Sequence, residues 1–269
     1  MSGMFGIAFA VGKEFSDGMR ITTLLAGCLA LWLGGGGYVL GQTKVKQQPD
    51  VATPRVIPYR WMSLEKWREF HAGDLARAEA GPVDVLLIGD SITEAWDKSG
   101  LKVWEKKLLP LNAANFGIGG DTTQNVLWRI TEGKALEKVR PKVVVLMIGT
   151  NNFGLHNDTP EAVVRGVAAV VKTVRKKLPD AHLLLLGIFP RSEHPGDKLR
   201  REVAAANEKI AGIGTGDDHI HFLRIWDEFM EKDGSISTKV MPDRLHLTEH
   251  GYNIWADTMM PQLKKFLTK

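Results

Sequence analysis

The chain has 269 residues, 44% of them hydrophobic and 25% charged, with a formal net charge of +4. It is long enough to bury a core as one domain or two, and its dispersed Lys and Arg, with no basic run interleaved with aromatics, speak against a nucleic-acid partner. Cys28 is the sole cysteine, which excludes an intrachain disulfide and a thiolate metal cluster.

The N-terminal segment differs from the rest. From Ile21 to Leu40 there is no charged residue, and the run follows Lys13 and Arg20. Its length suits a bilayer-spanning helix, but Gly34 to Gly37 lower the helix propensity and favour a signal peptide over a permanent anchor. Val39-Leu40-Gly41 offers a small-residue cleavage site before Gln42, and Leu25-Ala26-Gly27-Cys28 is similar to a lipoprotein signal that would be lipidated at Cys28. A buried helix is the remaining reading. Residues 1–42 are therefore expected to be a signal peptide or membrane anchor, the only part to contact a membrane. The rest is expected outside the cytoplasm: secreted, periplasmic or anchored. Residues 43–59 are polar, carry Pro49, Pro54 and Pro58, and read as a linker. Residues 60–269 form the main domain.

In that domain apolar runs alternate with helical patterns. Strands are expected at Val83–Gly89, Asn112–Gly117, Lys142–Gly149, His182–Phe189 and His219–Ile225. Continuous rather than alternating apolar residues point to strands covered on both faces, as in a parallel sheet. The clearest helix is Pro160–Lys177, with Thr159 as N-cap, Pro160 at its first position and a stripe of Val163, Val167, Val170, Val171 and Val174. Strand–helix–strand repeats with short loops define an α/β protein, a three-layer α/β/α sandwich. Its ligand site is expected beyond the carboxyl ends of the strands.

Four motifs fall at those ends. Gly89-Asp90-Ser91 follows the first strand directly, and Ser91 opens a short helix whose unpaired N–H groups favour negative charge. Taken alone, Ser91 reads more readily as an N-cap with Glu94 closing a capping box; Asp90 is expected to brace the loop by accepting backbone N–H groups. Gly117-Ile118-Gly119-Gly120-Asp121 lacks the glycine spacing of a dinucleotide fingerprint, and its glycines permit a backbone N–H to be aimed at a substrate oxygen. Asn151, just past KVVVLMIGT, offers a side-chain amide donor. Asp243-Arg244-Leu245-His246 precedes a C-terminal helix expected from about Thr248; a carboxylate on one ring nitrogen would leave the other free to take a proton. A His246–His250 metal pair lacks a neighbouring Glu and a third ligand, so no metal is expected. His156 and His194 are loop residues near the expected site.

The stretches LLIGDSITEAW, NFGIGGDTTQNVLWRI, VVVLMIGTNN and PDRLHLTEHGY resemble the four blocks of the SGNH (GDSL) hydrolase superfamily, in wording most like the catalytic subunits of intracellular platelet-activating-factor acetylhydrolases and their bacterial relatives. The resemblance spans about Trp61 to Leu267. It implies a flavodoxin-like fold with five parallel strands, hydrolysis of ester-linked acyl groups, and no metal or organic cofactor. By matching motif, Ser91 is implied as nucleophile and His246 as general base and then acid, oriented by Asp243. The backbone N–H groups of Ser91 and Gly120, with the Asn151 amide, are implied as the oxyanion hole. The N-terminal segment departs from the cytosolic relatives, which leaves the substrate and any homodimer open.

Ile92, Thr150 and Leu245 each neighbour an implied catalytic position and are expected to crowd the acyl end, favouring acetyl or other short chains. The partner is then a small-molecule or glycan acyl ester, with carbohydrate preferred. Two other classes stay open at this point: a catalytically silent surface binding module of the same fold, and a nucleotide- or phosphate-binding flavodoxin-like protein.

Overall fold

In this computed structural model the chain divides into two units, residues 1–44 and 45–269. The structure describes residues 47–268. The expected leader or anchor at 1–42, with Cys28, lies outside them, as do residues 43–46. Among the described residues no helix is long and apolar enough to cross a membrane.

The described chain folds as α1 (Leu64–Glu79), β1 (Val85–Gly89), α2 (Ser91–Glu94), α3 (Leu101–Val103, continued by a π turn over Trp104–Leu108), β2 (Ala113–Gly117), α4 (Thr123–Ile130), β3 (Val143–Met147), α5 (Thr150–His156), α6 (Pro160–Lys177), β4 (His182–Leu186), α7 (Lys198–Ile210), β5 (Ile220–Leu223) and α8 (Glu249–Leu267). The five strands form one sheet in the order β2-β1-β3-β4-β5, and every neighbouring pair is parallel. All five expected strands are present, each a little shorter than its apolar run. Chain order reverses direction between β1 and β3, and the crevice beyond those strands is where such sheets bind ligands.

The period-two geometry of a strand sends successive side chains to opposite faces, so each continuous apolar run feeds two cores. Leu86, Ile88, Val144, Leu146, Leu183 and Leu185 face one side, under Val126 of α4, Val163, Val167 and Val170 of α6, and Val203 of α7. Val85, Leu87, Val143, Val145, Leu184 and Leu186 face the other, under Trp255, Met259 and Leu263 of α8 and the buried Trp96. These are the three layers. Helix α6 has the expected bounds, with the Thr159 hydroxyl accepting from Ala162 N–H. Thr248 caps α8 in the same way.

Residues 47–59, expected as a linker, pack along the domain instead. Thr53 N–H donates to Gln124 O at 3.0 Å, and Tyr59 and Met62 exchange backbone hydrogen bonds. Arg55 is 3% exposed and its Nη2 donates to Gly119 O and to Asp121 Oδ1, each at 2.8 Å. The proline-rich composition signals an irregular backbone but cannot reveal a buried ion pair with a residue this far away in sequence.

Candidate active site

Helix α2 begins where β1 ends, at the carboxyl edge of the sheet. Its N-cap is Asp90, not Ser91: the fully buried carboxylate accepts from Ile92 N–H at 3.0 Å, as expected for a loop brace. Ser91 is thereby freed from capping. From α8, Tyr252 Oη donates to Ile92 O at 2.6 Å and pins the same turn. Burial pushes the Asp90 carboxyl up to about 7; the Ile92 N–H and the Arg191 charge pull against it, and Asp121 adds to it.

His246 reaches Ser91 from the loop before α8. Asp243 Oδ1 accepts from the N–H groups of Leu245 at 3.0 Å and His246 at 2.7 Å, while Arg244 takes a left-handed φ of 60°. This tight turn sets the imidazole. Its Nδ1 lies 2.7 Å from Asp243 Oδ2 and its Nε2 3.0 Å from Ser91 Oγ. With a carboxylate on one side, Nδ1 carries the proton and Nε2 is the acceptor facing the hydroxyl. Partial burial pushes the Asp243 carboxyl up, but hydrogen bonds from the His246 backbone and ring, the His246 charge and the Leu245 N–H outweigh it and hold the group below the usual carboxylate range.

The donor side is built on the loop after β2. Gly120 has a φ of 77°, and a Cβ there would fall 2.5 Å from Trp61 Cη2; both facts require glycine. Beneath it Asp121, wholly buried, accepts from Trp67 Nε1 and Arg55 Nη2 on Oδ1, at 2.8 Å each, and from Arg129 Nε on Oδ2 at 2.7 Å. Arg129 extends the network to Asp74 Oδ2, Phe116 O and Gly89 O. Two arginines thus match two aspartates, and the backbone ends of β1 and β2 are tied to the same guanidinium. Burial still pushes Asp74 up to about 7, against the pull of Arg129.

Asn151 sits at the start of α5, after Gly149, whose φ of 128° turns the chain sharply. One N–H of its Nδ2 donates to Asp121 O at 3.0 Å, and the residue lines the cavity beside Ser91. Asn152 binds Thr123, Gln124 and Asp158 and so locks α5 to α4. Among the described residues no acceptor occupies the backbone N–H of Ser91 or of Gly120, although Gly120 is buried. Buried N–H groups without a partner are rare.

The structure therefore brings Ser91, His246, Asp243, Gly120 and Asn151 together. Ser91, Asn151 and His246 open on a cavity of about 330 Å³, also lined by Trp61, Leu155, Arg191 and Leu245. A second recess of about 440 Å³ lies between α1 and the outer edge of the sheet and contains none of the five. Of the three residues expected around an acyl group, only Leu245 lines the cavity. Ile92 is 1% exposed and packs in the core beneath α8, because consecutive helical residues point about 100° apart. Thr150 is also buried, its carbonyl and hydroxyl both accepting from Arg191 Nη1, at 2.9 and 3.0 Å. Trp61, Leu155 and Arg191 went unforeseen; the one available signal was that Arg191 lies just past the carboxyl end of β4. His156 Nδ1 accepts from Gln124 Nε2 at 3.3 Å, and neither it nor His194 lines the cavity. Among the described residues no group of three or more His, Cys, Asp or Glu is placed to hold a metal ion.

A doubly wound α/β protein with a hydroxyl–imidazole–carboxylate chain and free N–H donors at its strand ends has the build of a serine hydrolase. Residues 87–254 match the GDSL-like lipase/acylhydrolase family, and the chain belongs to that family. It is 38% identical over 210 residues to platelet-activating factor acetylhydrolase IB subunit alpha1 of Bos taurus, covering 78% of this chain and 85% of that one. The human protein of the same name is 40% identical over 193 residues, 72% of this chain and 78% of the relative. Among solved structures, a GDSL-like lipase from Bacteroides thetaiotaomicron superposes with a TM-score of 0.62 at 19% identity, covering 74% of this chain and 97% of its own. A catalytic mutant of an acetylxylan esterase from Geobacillus stearothermophilus gives 0.55 at 18%, over 69% and 96%. At those identities the likeness concerns the fold.

Proposed function

We propose that this protein hydrolyses esters of short acyl groups through an acyl-serine intermediate. The observation that carries the reading is the Ser91 hydroxyl in contact with an Asp-oriented imidazole; the backbone N–H groups of Ser91 and Gly120, without an acceptor among the described residues, support it. Ser91 Oγ attacks the ester carbonyl as its proton passes to His246 Nε2. The oxyanion accepts from the two backbone N–H groups and from Asn151 Nδ2, all fixed before the charge develops. His246 then gives its proton to the departing alcohol. Water, deprotonated by the same ring, attacks the acyl-serine; the ring then returns that proton to Ser91 Oγ as its bond to the acyl carbon breaks, and the acid is released. Asp243 keeps the tautomer and stabilises the imidazolium without taking a proton.

The modest cavity and the acetylhydrolase names of the relatives support acetyl as the acyl group. The uncharged run at 21–40 supports an exported protein, which cell fractionation with an antibody to the domain tests. A fluorophosphonate probe should label the wild-type protein and not Ser91→Ala. With p-nitrophenyl esters of increasing length, kcat/KM should peak at roughly two to four carbons. Absence of labelling would instead support a catalytically silent binding module.

A further inference from the structure

Resting on the esterase reading, we propose that the leaving-group side of the cavity is a sugar subsite with Trp61 as its platform. The substrate would be an acetylated sugar carrying no positive charge. Trp61 is 55% exposed, and Leu155, on the same cavity, is 40% exposed. An apolar ring left in water at the mouth of a catalytic cavity is unfavourable unless a ligand covers it. One face of Trp61 is already covered: Tyr59 stacks on it with centroids 5.1 Å apart and planes 19° from parallel. Arg55 lies over Tyr59 in turn, 5.1 Å from its centroid. The indole edge rests on the Gly119–Gly120 backbone, so its position is fixed relative to the oxyanion donors. What remains open is a flat apolar surface on the same cavity that Ser91 lines.

Two classes of leaving group fit an aromatic face. A quaternary ammonium is held by cation–π attraction, and a sugar ring by its polarised C–H bonds against the negative face of the π system. The charges here decide between them. Among the described residues no carboxylate lines the cavity; the guanidinium of Arg191 does, with the Asp90 and Asp243 carboxylates acting on it from outside the lining. Arg191 Nη1 is committed to Thr150, whereas among the described residues its Nε and Nη2 have no acceptor. They are free to donate to ring hydroxyls or to a carboxylate. A cation at the same place would meet a like charge in a partly dry site, where repulsion is poorly screened. The subsite therefore selects an uncharged or acidic sugar ring and rejects a choline-like head group.

Three acetate esters test this on the full chain: a mono-O-acetylated methyl xyloside, ethyl acetate with no ring, and acetylcholine with a cationic leaving group. The wild type should show kcat/KM falling in that order, with at least about tenfold between first and last. In Trp61→Ala the ratio of xyloside to ethyl acetate should fall about tenfold, through KM, and Trp61→Phe should restore most of it. In Arg191→Gln the ratio of acetylcholine to ethyl acetate should rise several-fold. Equal loss on all esters in Trp61→Ala would overturn the platform and leave Trp61 as a support for the Gly120 loop. A wild type that prefers acetylcholine would overturn the charge argument. If the wild type cleaves none of the three and no probe labels Ser91, the esterase reading itself fails, a result distinct from hydrolysis without sugar preference.

Discussion

The two halves of the site are built on opposite principles. The proton-transfer half is open: the His246 side chain is 41% exposed, that of Asp243 is 53% exposed, and both hang on one short loop. The donor half is closed, with Asp121 and Arg129 fully buried and ion-paired at 2.7 Å beneath Gly120. The contrast has a physical reason. An imidazole must tilt and exchange protons with alcohol and water, and a partly solvated ring does so at little cost. A backbone N–H stabilises an oxyanion only if it does not move when the charge appears. Its rigidity is drawn from charges buried out of sight. The open half should therefore be the place where substitutions stop chemistry without unfolding the protein, and the closed half the place where they do both.

The largest effect is expected at the open half. Ser91→Ala should lower turnover by at least about 10⁴-fold with an unchanged melting temperature, since a nucleophile acts as a unit with its base. Next comes the closed half. Arg129→Met leaves buried Asp74 without its ion-pair partner and Asp121 with Arg55 and Trp67 alone, and should cost about 3–5 kcal/mol of stability, read by denaturant unfolding. A loss below about 1 kcal/mol would show that the network does not hold the fold. Asn151→Ala lies at the junction and should slow kcat by about 10²–10³-fold while leaving a folded protein, because one oxyanion donor is lost. Wild-type turnover in that variant refutes its role.

A smaller loss, about 1–3 kcal/mol, is expected for Arg55→Met, as Trp67 and Arg129 still satisfy Asp121. Its sharper readout is kcat, which should fall more than stability alone explains if the segment before Trp61 steadies Gly120. The last effect concerns pH. Asp90 titrates near 7 when folded and near 4 when unfolded, so the folded state binds the proton more tightly. Its contribution is favourable at low pH and is lost as pH rises from about 4 through 7. Asp90→Asn abolishes that loss. The stability difference between variant and wild type should move in the variant's favour from pH 5 to pH 8. A difference that stays flat would place the Asp90 titration below that window.

What could be read from the sequence follows from what each feature depends on. The strands were legible because a strand covered on both faces is apolar along its length, as VVVLM of β3 is. Helix α6 was legible to the residue because Thr159 and Pro160 mark its start by local chemistry. The reacting groups were legible because each sits in a short block of contiguous residues at a strand end. Contacts that depend on distant parts of the chain were not. Arg55 is buried only because Asp121 waits for it, and nothing in VATPRVIPY announces that. Adjacency in sequence also misled: Ile92 and Thr150 neighbour Ser91 and Asn151 along the chain, yet the helical turn sends Ile92 into the core and hydrogen bonding turns Thr150 toward Arg191.

The bond from Arg55 to Gly119 O has a practical side. A protease that cut between residues 56 and 60, or a shortened version designed to begin at Trp61, would sever the tie while sparing Ser91, His246 and Asp243. Such a fragment should still react with a fluorophosphonate, whose phosphorus is a forgiving electrophile, yet turn over real esters slowly. Labelling intensity would then overstate how much working enzyme a preparation contains.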